Sequence, residues 1–98
     1  MNSQAIRQRV LKVLYDAHEQ EGGSGEVEEG ELARQLGITP ARLRPLLKYW
    51  QDRGCIRSKD LTLVPPVTYR YLEITGPGMD EVEHPASDEA AIVVEGDL

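Results

Sequence analysis

The sequence predicts an α+β fold, with a three-helix core built on a helix-turn-helix, then a β-hairpin and a short closing helix. Three observations carry this. Residues 31–56 hold two short amphipathic helical patterns joined at a glycine. Residues 68–74 alternate as a strand does and follow a double proline. The first twenty residues carry apolar side chains at helical spacing. A chain of 98 residues suits one domain with one modest core.

The central stretch, ELARQLGITPARLRPLLKYWQDRGCI, organises the rest. Leu32, Ala33 and Leu36 give the first of its helices an apolar face. Gly37 stands where a helix end needs positive φ. Thr39 offers a hydroxyl as N-cap, and Pro40 suits the first helical position, where no N–H is needed. Leu43, Leu46, Leu47 and Trp50 form the stripe of the next helix, which Gly54 stops. Ala33 is the small residue that lets the two helices cross closely.

Before this unit, residues 1–20 read as a helix capped by Asn2 or Ser3. Ile6, Val10, Val13, Leu14 and Ala17 form its stripe, with Leu11 beside it. The glycines and serine between Glu21 and Glu26 read as a flexible linker. They lack the spacing and the Gly-Lys-Ser/Thr ending of a phosphate-binding loop. Val27 is expected to return to the core just before a helix starts at Glu28 or Glu29.

Pro45 complicates the helix after Thr39. A proline there removes one backbone bond and clashes with the carbonyl of Ala41, at a cost of about 3 kcal/mol in an ideal helix. Two arrangements follow: a kinked helix, or a loose turn over residues 39–44 with the regular helix beginning at Pro45. With the stripe inward, Ala41, Pro45, Lys48 and Asp52 point outward. Arg44 and Tyr49 flank that face, and Arg42 lies nearer its edge.

Downstream, Cys55-Ile56-Arg57 starts a strand that Leu61-Thr62-Leu63-Val64 continues or resumes, and Val64-Pro65-Pro66-Val67 turns. The return strand spans residues 68–74, with Leu72 and Ile74 on one face and Tyr69 and Tyr71 on the other. Thr75 caps a last short helix that brings Met79 and Val82 to the core, and Pro85 ends it. Residues 1–85 are therefore expected to form the domain. Residues 86–98 read as an acidic tail around Ala90-Ala91-Ile92-Val93-Val94, either disordered or adding a strand to a sheet edge.

The formal charge of −6 argues against a generally adhesive nucleic-acid binder. The charge is uneven, however. Arg42, Arg44, Lys48, Arg53, Arg57 and Lys59 lie within residues 39–59, opposed there by Asp52 alone. Such a split is what a local electrostatic footprint needs. No run approaches the ~20 apolar residues of a membrane helix, and no signal peptide is expected because Arg7 and Arg9 interrupt the N-terminal apolar pattern. The single cysteine, Cys55, excludes an internal disulfide and reads as a small buried residue, in keeping with a cytoplasmic setting. His18 reads as a solvent-facing histidine near a helix C-terminus, and His84 has no partner at metal-ligand spacing. No acid–base pair or nucleophile–base set stands out, so neither an enzyme nor a cofactor is expected.

Leu32-Ala33, Leu36-Gly37-Ile38, Leu43, Leu46, Trp50, Gly54 and Ile56 resemble the helix-turn-helix of bacterial, archaeal and phage winged-helix proteins. Tyr71-Leu72-Glu73-Ile74-Thr75-Gly76-Pro77-Gly78-Met79 is similar to the segment where the last wing strand of that family enters its closing helix. The resemblance covers about residues 4–84. It implies a winged helix, with the hairpin as wing, and a small DNA-binding transcriptional regulator that seats its third helix and wing on duplex DNA. On that reading Arg42, Arg44, Lys48, Lys59 and Arg70 meet phosphates, while Thr39 and Tyr49 add hydrogen bonds. A homodimer is expected, since one recognition helix reads few base pairs. Asp52, Pro45, the acidic net charge and the uncharged Val-Pro-Pro-Val tip suit an alternative, a winged-helix protein-interaction module that uses the wing tip or the tail.

Overall fold

The computed structural model describes residues 3–20, 25–63 and 67–85. Its elements, in order, are α1 (Ser3–Glu19), β1 (Val27–Glu28), α2 (Glu29–Leu36), α3 (Pro40–Asp52), β2 (Ile56–Thr62), β3 (Thr68–Ile74) and α4 (Gly76–Glu83). The strands form one antiparallel sheet in the order β1-β3-β2. The expected cap at Asn2, the loop at residues 21–24, the hairpin tip at residues 64–66 and the tail lie outside the described residues.

One core sits between α1, α2, α3 and the inner face of the sheet. Val10, Leu11, Leu14, Leu32, Leu43 and Leu72 are fully enclosed, and Trp50, Ala33, Ile74 and Ile56 nearly so. Leu11, placed beside the stripe by the sequence pattern, is at its centre, whereas Val13 and Ala17 are half-buried. The indole N–H of Trp50 donates to the backbone carbonyl of Arg7 at 2.8 Å, which fixes α3 across the first half of α1.

The turn between α2 and α3 forms as its residues dictate. Gly37 has φ +72°, and the N–H groups of Gly37 and Ile38 bond the carbonyls of Arg34 and Ala33, both at 3.1 Å. Thr39 then caps α3, its Oγ1 accepting from the Arg42 N–H at 3.2 Å. Contrary to the loose-turn alternative, α3 begins at Pro40 and runs unbroken through Pro45. The cap and the burial of Leu43, Leu47 and Trp50 hold the turn before Pro45 helical despite the missing donor.

The sequence pattern did not give β1. Val27 is buried, and pairs with Leu72 while Glu28 pairs with Tyr71. The Glu28 side chain also caps α2, accepting from the N–H groups of Gly30 and Glu31. β2 is continuous over residues 56–62, so Cys55 and Leu63 flank it rather than belong to it. At the far end, Thr75 caps α4 and donates its hydroxyl to the Gly54 carbonyl. Gly78 sits where a Cβ would lie 2.1 Å from the Cys55 carbonyl oxygen, which is why α4 can close against the start of the wing. Among the described residues no helix is long and apolar enough to cross a membrane.

Candidate nucleic-acid interface

The buried stripe of α3 fixes what the helix exposes. Ala41, Arg42, Arg44, Pro45, Lys48 and Asp52 are exposed, as the wheel predicts, and Tyr49 is half-buried. Pro45 occupies the middle of that surface. It has no hydrogen-bonding side chain with which to read a base edge.

The hairpin register divides the wing into two faces. Ile56–Ile74, Ser58–Leu72, Asp60–Arg70 and Thr62–Thr68 pair on the face that continues from the core. Arg57–Glu73, Lys59–Tyr71 and Leu61–Tyr69 pair on the other. Arg70 and Lys59 therefore project from opposite faces. Arg70 shares a cleft of about 430 Å³ with Arg44, Glu28, Glu29, Asp60 and Thr68. Lys59 belongs instead to the outer face, where Leu61 and Tyr69 are also exposed.

Four of the five cations that the sequence singles out are already matched by carboxylates. Arg44 lies 3.5 Å from Glu29, whose Oε2 is buried and accepts no hydrogen bond. Lys48 lies 3.3 Å from Asp52, one helical turn on. Lys59 reaches Glu26 at 3.0 Å, and Arg70 donates to Asp60 at 3.0 Å. Asp60 strengthens the hold of Arg70 on its proton. Arg42 has no carboxylate partner among the described residues. The Lys48–Asp52 and Arg70–Asp60 pairs are exposed on both sides and worth about 0–1 kcal/mol, so a phosphate can displace those carboxylates at little cost, whereas Glu29 is largely buried and holds Arg44 more firmly. The long-range pull on a polyanion is nevertheless weaker than a run of six basic residues suggests.

Thr39 spends its oxygen lone pair on the cap, and its O–H remains a donor. Tyr49 is held more firmly than its position on a helix edge implies. Its ring meets Trp50 edge-on at 4.8 Å, and two guanidinia stack on it, Arg7 at 4.1 Å and Arg53 at 4.4 Å. The i,i+4 spacing of Tyr49 and Arg53, which caps α3, was a signal for half of this contact. The approach of Arg7 depends on the α1–α3 crossing and has no sequence signature. Among the described residues no group of three or more metal-binding side chains is assembled.

A helix-turn-helix, a three-stranded antiparallel sheet whose last two strands form a wing, and a closing helix define a winged-helix fold. Solved structures agree. The transcriptional regulator homologue protein from Pyrococcus horikoshii OT3 is similar with a TM-score of 0.67, at 18% identity, over 96% of this chain and 85% of its own. MepR of S. aureus, solved in complex with DNA, is similar with a TM-score of 0.66, at 18% identity, over 91% of this chain and 68% of its own. ZitR of Lactococcus lactis, a zinc-responsive MarR family member, reaches 0.63 at 18% identity over 91% of this chain. The chain spans 55% of that ZitR chain. No protein-family model and no curated protein matches the sequence. At such identities the likeness establishes the fold: the chain is a winged helix-turn-helix protein.

Proposed function

We propose that the protein is a small DNA-binding transcriptional regulator that seats α3 and the wing on duplex DNA. The observation that carries this reading is the exposed outer surface of α3, bare of any covering element among the described residues and bordered by the hairpin. The shared fold with regulators, one of them solved on DNA, supports it. Arg42, Arg44, Lys48 and Arg70 would meet phosphates, Lys59 would do so from the outer face of the wing, and Thr39 and Tyr49 would donate hydrogen bonds. Pro45 limits direct base reading, so affinity rests mainly on the backbone. Regulators of this kind work as dimers on paired half-sites, and a homodimer in the cytoplasm is part of the proposal.

The test is a titration of mixed-sequence duplex at several salt concentrations. Log affinity should fall linearly with log salt, by about 0.9 per phosphate neutralised. Asp52→Asn should tighten binding, because it frees Lys48 and removes a charge that repels phosphate. A gain of affinity is hard to produce by damaging the fold.

A specific observation favours a second reading, a protein-interaction module. The cations are largely self-neutralised, and the wing exposes Leu61, Leu63, Val67 and Tyr69. On that reading wild type and Asp52→Asn both leave duplex DNA unbound. The hairpin tip and tail, the other expected contact surfaces, lie outside the described residues.

A further inference from the structure

We infer that Arg7 and Arg53, together with Arg42, form the principal phosphate-binding row, with the Tyr49 ring as the platform that holds its two stacked guanidinia in place. This rests on the DNA-binding reading and adds to it Arg7 and Arg53, which were not among the expected phosphate contacts.

The row follows from helical geometry. At 3.6 residues per turn, positions 42 and 49 fall within about 20° of one another on α3, and Arg53, the residue that caps its C-terminus, comes back over the Tyr49 ring. Arg44 and Lys48 lie on the opposite flank of the exposed surface, where Glu29 and Asp52 take up their charge. Arg7 reaches the first flank from α1, because the Trp50 indole ties α3 to the Arg7 carbonyl. The exposed surface of α3 thus has two unlike edges, one balanced by acids and one not.

Among the described residues, no carboxylate pairs with Arg7, Arg42 or Arg53. Arg7 and Arg53 nevertheless crowd one aromatic ring, at 4.1 and 4.4 Å from its centroid. Two positive charges on one ring, neither matched by a carboxylate, favour an anion beside them. Stacking occupies the face of a guanidinium and leaves its in-plane N–H donors free. Those donors suit the oxygens of a phosphate. Arg70 is the contrast, with its Nε–H already donated to Asp60. A stacked arginine is also pre-ordered, so it loses less side-chain freedom when it binds.

The experiment measures affinity of the full chain for a mixed-sequence DNA duplex across a salt series, with Arg7→Gln, Arg53→Gln and the double variant beside wild type. Each single change is expected to flatten the slope of log affinity against log salt by about one unit, and the pair by about two. Arg7→Lys and Arg53→Lys keep the charge but lose the planar stack, so they should retain the slope and bind more weakly. Circular dichroism melts identify any variant that fails to fold, and the lysine variants then carry the comparison. Salt-dependent binding by wild type with unchanged slopes in the glutamine variants overturns this row and leaves the DNA-binding reading standing. A lysine variant that loses the slope while folded also overturns it. Absence of duplex binding by wild type at low salt removes both.

Discussion

Replacing Trp50 with alanine should remove a large part of the stability of the fold. Trp50 is 2% exposed; its indole bonds the backbone of α1 at the Arg7 carbonyl, and its ring meets Tyr49. A large aromatic side chain buries roughly 150–250 Å². At about 25 cal/mol per Å² that is some ~4–6 kcal/mol, an upper bound because the unfolded chain already covers part of it. Truncation also removes the indole bond to the Arg7 carbonyl, which keeps its helical bond within α1, so this loss adds about 0.5–1.5 kcal/mol. Partial collapse of the cavity offsets some of this, and truncations of this size cost about 3–5 kcal/mol in practice. Domains of this length have about 5–15 kcal/mol in total. The melting temperature should therefore fall by at least ~12 °C, at roughly 4 °C or more per kcal/mol. The helical circular dichroism signal is the right probe, because Trp50 is the sole tryptophan and its fluorescence disappears with it. Trp50→Phe keeps the ring and loses the indole donor, so it should fall between wild type and the alanine variant. A Trp50→Ala protein that melts within about 5 °C of wild type would refute the packing of α3 on α1 described above.

Three further outcomes follow from the same packing. Gly78→Ala places a methyl group 2.1 Å from the Cys55 carbonyl oxygen and 2.6 Å from Ile74 Cγ1, so α4 must shift, and the urea midpoint should drop by the equivalent of about 1–3 kcal/mol. Pro45→Ala restores a donor to the Ala41 carbonyl inside α3; it should raise stability by about 2 kcal/mol, the helix gain of ~3 less the ~1 or under that the freer unfolded chain takes back, and leave the salt slope of DNA binding unchanged. The Arg34 guanidinium, followed by the Gln35 amide, holds the Glu31 carboxyl below its usual range. Because that pKa is depressed in the folded state, its contribution is present above the ordinary carboxylate range and is lost as pH falls through the folded value; Glu31→Gln should flatten the acid limb of a stability-against-pH profile.

Where local chemistry decides, the residues declared the fold. Gly37, Thr39 and Pro40 each have one conformational use, and together they place the turn and the start of α3. The period of Leu43, Leu47 and Trp50 and the alternation of Tyr69 to Ile74 gave the helix and the return strand for the same reason. The β1 strand was not legible because two residues carry no period, and its partner Leu72 is 45 positions away from Val27. Pro45 misled toward a break, since the burial that overrides it is tertiary. The candidate interface was legible as a list of exposed positions on α3, not as an electrostatic surface. Glu29 neutralises Arg44 and Glu26 neutralises Lys59 across elements, at separations no charge-run argument reaches. The opposite facing of Lys59 and Arg70 depends on a hairpin register that the sequence leaves open, and the stacking of Arg7 on Tyr49 depends on the α1–α3 crossing.

The most direct test of a DNA-seated α3 and wing is a nitrogen–proton correlation spectrum of the labelled chain, titrated with mixed-sequence duplex at low salt. Amide shifts should move at the non-proline residues 39–53 of α3 and its two caps, at Arg7, and along residues 57–62 and 68–71 of the hairpin. The amides of Asp16, Ala17, Val27 and Gln35, which line a separate groove between the end of α1 and α2, should stay in place. Shifts confined to that groove, or a spectrum unchanged by saturating duplex, would contradict the claim that this winged helix binds DNA through α3.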